Sequence, residues 1–173
     1  LFHQTGDTAW LRLHKQSCEK VLNWLIKRDS NNNGIFEMLN DNTGEKKCSD
    51  WIDVVWAAFE NAFVNAQMYE ALNLWAECET ILGDKGKAAY YSRIAERLKI
   101  AFNKPVQYGG FWSQEMKQYI YWRDKDGTLH GDNLVTPVNF AAIAFGLCDD
   151  PVRIKDILGQ IEEKASAENL FHW

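Results

Sequence analysis

Ala88, Tyr91, Ala95, Leu98 and Phe102 follow one another at intervals of three, four, three and four residues. At 3.6 residues per turn these positions form one stripe along a helix. A helix with a single apolar stripe must lay it against a neighbour. The same constraint recurs along the chain. Between residues 7 and 27, Leu11, Cys18, Val21, Leu22 and Leu25 keep helical spacing, and RDSNNNG closes that helix with Gly34 as its breaker. A second long helix is expected from about residue 54 to 82, with Phe59, Phe63, Ala66, Met68, Leu72 and Trp75 inward and GDKG as its stop. Asn103 and Pro105 close the helix that ends at Phe102. Two more helices are expected, over 137–147 and from 151 to about 165, each opening on a proline suited to the first helical turn. Only KQYIYWRDKDGTLHGD breaks the period. Aromatic and β-branched residues around Asp-Gly predict a short hairpin, with Tyr119 and Tyr121 on one face and Ile120 and Trp122 on the other. The fold class is all-α, built of helical hairpins with a short β-hairpin insertion.

With 173 residues, the chain can bury roughly 70% of the surface its unfolded form exposes. Its net charge is −5 with no basic run, which excludes nucleic acid as a partner because a phosphate backbone needs clustered Lys and Arg. No apolar stretch approaches the ~20 residues that span a bilayer, so no membrane partner is expected. Cys18, Cys48, Cys78 and Cys148 show no metal-type or redox-type pairing. Cys18 and Cys78 are expected to be buried thiols, and no cofactor and no metal are called for. Eight Trp, nine Phe and six Tyr fit either a heavily aromatic core or an aromatic-lined cleft. The chain opens on LFHQTGDTAW and closes on AENLFHW, and both ends are expected to be cuts through a larger domain.

Two stretches carry candidate chemistry. In DSNNNGIFEMLN, Asp29, Asn31, Asn33 and Glu37 with Gly34 at the sixth place follow calcium-loop spacing. The twelfth place is Asn40 rather than Glu, so a plain helix-ending turn is the better reading. In CSDWIDVVW, Ser49 or Asp50 is a candidate N-cap, and Asp53 falls in the first turn of the expected helix, where the dipole favours a carboxylate. Capping leaves Trp51 unexplained. An acid beside a large apolar ring loses solvation and holds its proton more tightly, and an indole also makes a platform for the apolar face of a sugar. Trp112, after two glycines, is a further candidate cleft residue.

The stretch from Ser49 to Asn103 is similar to the central segment of glycoside hydrolases with the (α/α)6, or six-hairpin, toroid. It most resembles the group that includes the glucosidase domain of glycogen debranching enzymes and the processing α-glucosidases. The resemblance rests on Trp51-Ile52-Asp53 before a long helix carrying Asn65-Ala66-Gln67-Met68-Tyr69-Glu70-Ala71-Leu72, then Gly110-Phe111-Trp112 and a tyrosine-rich strand. The segment Asp132 to Asn139 resembles the approach to the next inner helix. The resemblance implies that residues 1–173 are a fragment of a single (α/α)6 catalytic domain. It implies Asp53 as general acid, Trp51 as a subsite aromatic and Asn65 as a polar residue pointing into the cleft. One departure is that several relatives carry a Glu shortly before the Asn65 position, where this chain has Glu60 and Phe63.

The implied activity is that of an inverting, exo-acting glycosidase cleaving an α-glycosidic bond. Asp50 and Asp53 stand too close in the chain to straddle that bond, so Asp50 is expected to bind or support. The general base, for which Glu37, Glu115, Asp124 and Asp132 lack a distinctive context, is expected outside these residues. The expected partners are an oligosaccharide or glycoside and the remainder of the catalytic domain. Two alternatives stay open: a non-catalytic helical scaffold or protein-interaction domain, and a sugar phosphorylase on the same toroid.

Overall fold

The computed structural model describes residues 2–41, 50, 52 and 55–169. After a short helical turn, α1 (Phe2–Thr5), the first long helix α2 runs Thr8–Ile26, capped by Asp7, whose carboxylate accepts from the Trp10 amide at 2.9 Å. It buries Leu11 and Leu22, while Val21, expected inward, and Trp24 stand more than half exposed. An apolar groove of about 400 Å³ lies between α2 and the next helix, lined by Val21, Leu22, Leu74, Trp75 and the half-buried thiols Cys18 and Cys78.

That next helix, α3, spans Ala62–Ile81, eight residues later than expected. Residues 55–59 are not helical. Phe59 is at φ 35°, and its carbonyl accepts from Met38 N while its own amide donates to Asn40 O. Ala57 and Ala58 are fully buried in this extended run. The apolar stretch therefore pairs with the loop after α2 instead of coiling, and the cap of α3 is Asn61, whose side chain accepts from Val64 N at 3.1 Å. Asp50 does not stand at a helix mouth, and Ser49 lies outside the described residues.

A tight turn at Gly83 leads to α4 (Lys85–Phe102), capped by Asp84. Its buried face is Ala88, Tyr91, Ala95, Leu98, Ala101 and Phe102, the predicted stripe. Then come α5 (Thr136–Ala144) and α6 (Pro151–Ala167), the latter capped by Asp150. Helix α3 is the common neighbour of α2, α4 and α5. No helix among the described residues is long and apolar enough to cross a membrane.

The β excursion is larger than one hairpin. Strand β1 (Glu60–Asn61) precedes α3; β2 (Trp112–Ser113) pairs antiparallel with β3 (Gln118–Tyr119). Around Asp126-Gly127, β4 (Trp122–Arg123) pairs with β5 (Leu129–His130), and β4 also pairs with β1 to give the order β1-β4-β5. Because β3 ends before β4 begins, Tyr119, Ile120 and Tyr121 do not alternate faces; all three are buried.

Two fully buried asparagines join these parts. Asn65, in the first turn of α3, accepts from Phe36 N (2.8 Å) and donates to Phe36 O and Asn61 O (both 2.9 Å). Asn139, in the first turn of α5, accepts from Tyr119 N (3.0 Å) and donates to Val135 O (3.0 Å). Each asparagine stands four residues after the backbone carbonyl at its own helix entry and clasps the main chain of an aromatic residue in an earlier segment. The loop after α2, the approach to α3 and both β pairs are thus gathered at the N-terminal ends of α3 and α5.

Candidate functional site

Asp50 is the candidate residue that the structure places most informatively. It is half-buried beside that gathered end. Its Oδ1 accepts from the Ile52 amide at 2.9 Å, closing a side-chain turn of the kind Asp favours. Its Oδ2 accepts from Asn61 Nδ2 at 2.8 Å and from the Tyr121 hydroxyl at 2.7 Å. Tyr121 is itself buried and pinned in the sheet, its amide donating to His130 O and its carbonyl accepting from Ala62 N. Three donors therefore hold one carboxylate. Trp51 and Asp53 lie outside the described residues.

Asn65 and Trp112 differ from their expected placement. Asn65 does not point into a cleft; all of its amide hydrogen bonds go to main-chain groups. Trp112 is only 5% exposed, edge-on to Tyr119 at 5.1 Å, with the Arg153 guanidinium 4.5 Å from its ring centroid. Helix α6 supplies that arginine, so a residue distant in sequence seals the indole. Tyr119 beneath it donates to Asn103 Oδ1 at 2.6 Å, and burial pushes its phenol well above the usual range.

The loop with calcium-type spacing directs its oxygens at internal donors. Both Asp29 oxygens accept from Gly34 N, and Arg97 pairs with the same carboxylate at 2.6 Å. Asn33 Nδ2 donates to Glu60, Glu37 accepts from the Ser30 hydroxyl, and Arg28 donates to the carbonyls of Glu37 and Met38. This is the helix-ending turn, and it is joined to the approach to α3 through Glu60 and Phe59. Glu60 pairs with Arg123, which also donates to the carbonyls of Gly109 and Gly110.

Sequence reading missed Glu79, which no motif marks. It is wholly buried on α3, 2.7 Å from Lys15 Nζ, while Lys15 also reaches Glu19 and Asp84, and Lys87 holds Glu19 at 2.6 Å. Its Oε1 accepts no hydrogen bond among the described residues. Burial, with the neighbouring Glu19 carboxylate, pushes the Glu79 acid above its ordinary 4.5 despite Lys15. A carboxyl whose folded pKa is raised stabilises the fold at low pH, and that contribution is lost as pH rises through the folded value. Glu79→Gln, whose amide does not titrate, is expected to remove this slope. The wild-type-minus-variant difference in unfolding free energy, from urea titrations between pH 4.5 and 8, should fall with rising pH; a flat difference would show an ordinary carboxylate.

A mostly helical fold with short β pairs at the helix entries is consistent with a six-hairpin glycosidase-type domain. The chain belongs to the family described as the bacterial alpha-L-rhamnosidase 6 hairpin glycosidase domain, whose model matches residues 1–170. The match supports the toroid class without linking the chain to the debranching or processing glucosidases in particular. No curated protein matches the sequence.

Proposed function

We propose that this chain is part of an inverting, exo-acting glycosidase that cleaves α-L-rhamnosides by general acid–base catalysis. The observation that carries the reading is the family match over residues 1–170. The three hydrogen bonds that hold the half-buried Asp50 carboxylate beside Asn61 and Tyr121 support it. Asp53 acts as general acid, giving its proton to the leaving oxygen as the glycosidic bond breaks. Trp51 offers its indole to the sugar ring, and Asp50 ties its own segment to Asn61 in β1 and to Tyr121 just before β4. Water attacks from the opposite face, activated by a carboxylate in the remainder of the domain, with the two carboxyls ~6.5–9.5 Å apart so that the water fits between them. Asn65 contributes by fixing the loop at Phe36 to the start of α3.

The test is turnover by the full-length protein of p-nitrophenyl α-L-rhamnoside beside p-nitrophenyl α-D-glucoside, with the anomer of the released sugar followed by NMR. Cleavage of the rhamnoside with inversion is the expected result. Preference for the glucoside would return the substrate to the α-glucosidases that the sequence resembles. Turnover only with inorganic phosphate would identify a phosphorylase, and neither turnover nor sugar binding would leave a helical scaffold.

A further inference from the structure

His130 on β5 is held on two sides. Its Nε2 lies 2.7 Å from Asp124 Oδ2, and its ring stacks flat on Trp122, with centroids 4.3 Å apart and planes 10° from parallel. Trp122 in turn donates from Nε1 to Asp124 Oδ1 at 3.0 Å. One carboxylate therefore fixes both rings. With Asp124 accepting, the neutral imidazole carries its proton on Nε2 and presents a lone pair at Nδ1. Among the described residues Nδ1 has no hydrogen-bond partner, and the side chain is 33% exposed.

The strand register places this ring on the candidate site's side of the sheet. Asn61 opposes Trp122, and Trp122 opposes His130, so the three side chains stand on one face. Asn61 donates its amide to Asp50. Two strand spacings, about 10 Å, separate the Asp50 side of the sheet from His130. The two cations of the hairpin are otherwise engaged: Arg123 with Glu60 and the Gly109 and Gly110 carbonyls, Lys125 with Asp41. That leaves a partly exposed imidazole with its Nδ1 unengaged among the described residues, on the same face of the sheet as Asn61.

We infer that His130 is a substrate-contacting residue, its Nδ1 accepting a hydrogen bond from a hydroxyl of a pyranoside whose reacting end lies at the Asp50 turn. The inference rests on the glycosidase reading above. Asp124 and Trp122 are the positioning residues, one setting the tautomer and the other the ring plane.

The experiment compares wild-type full-length protein with His130→Ala and Asp124→Asn on p-nitrophenyl α-L-rhamnoside. His130→Ala is expected to raise KM about tenfold, the worth of one hydrogen bond, with kcat and melting temperature little changed. Asp124→Asn should raise KM in the same direction. An unchanged KM, with or without a fall in melting temperature, would make His130 only a brace for the hairpin and overturn the inference. Should His130→Ala fail to fold, the wild-type imidazole signals of His130 decide: they shift on titration with α-L-rhamnose, or the inference fails. Normal wild-type turnover beside a normal His130→Ala would sink this inference alone. Absence of turnover and binding in the wild type would sink the glycosidase reading together with it.

Discussion

Asn65→Ala is expected to destabilise the domain by about 3–5 kcal/mol, since it leaves up to three buried backbone groups without partners at about 1–3 kcal/mol each. The amide of Phe36 and the carbonyls of Phe36 and Asn61 all lose their side-chain partner at once. Phe36 is 3% exposed and Asn65 fully buried, so water cannot replace those bonds without opening the joint between the loop and α3. Urea-induced unfolding followed by tryptophan fluorescence measures the loss. A variant within about 1 kcal/mol of wild type, the size of an average substitution, would show that the clasp is dispensable.

Asp53→Asn is expected to lower kcat on rhamnosides by about 10²–10⁴-fold, the usual contribution of a positioned general acid, while KM changes little. An amide keeps the shape of the side chain but has no proton to give the leaving oxygen. The loss should therefore be greater for an alkyl rhamnoside than for the nitrophenyl rhamnoside, whose leaving group departs without much help. Equal losses on the two would point to a binding role, and unchanged turnover on both would remove Asp53 from catalysis. The measurement is steady-state kinetics of the full-length protein on the two substrates.

The helix over Lys85–Phe102 was legible because its stripe is uninterrupted and its stop is chemical: Asn103, then Pro105. The start of α3 was not. Val55, Trp56, Ala57 and Ala58 are apolar enough to continue a helical pattern, and periodicity does not distinguish a buried extended run from a buried helical turn. The deciding partners are the backbone groups of Met38 and Asn40, which no local signal reveals. Asp50 was legible as an unusual acid, yet its donors, Asn61 and Tyr121, stand 11 and 71 residues away. Trp112 read as a cleft residue because the glycines before it suggested an open turn. Its burial is settled by Arg153, from a helix 40 residues on. Glu79 was invisible for the same reason: a buried acid on a helix looks like any surface glutamate until its lysine arrives from another element.

The paired clasps of Asn65 and Asn139 share only a Val-Asn dipeptide in sequence, too little to announce a repeat, yet they do the same job at alternate helices. Because one amide grips the main chain of Phe36 and the other that of Tyr119, the anchorage is indifferent to the side chains that the rim displays. Substitutions of the surrounding side chains can change the chemistry of this end without loosening the foundation beneath. Such a division of labour separates the evolution of specificity from the upkeep of the scaffold.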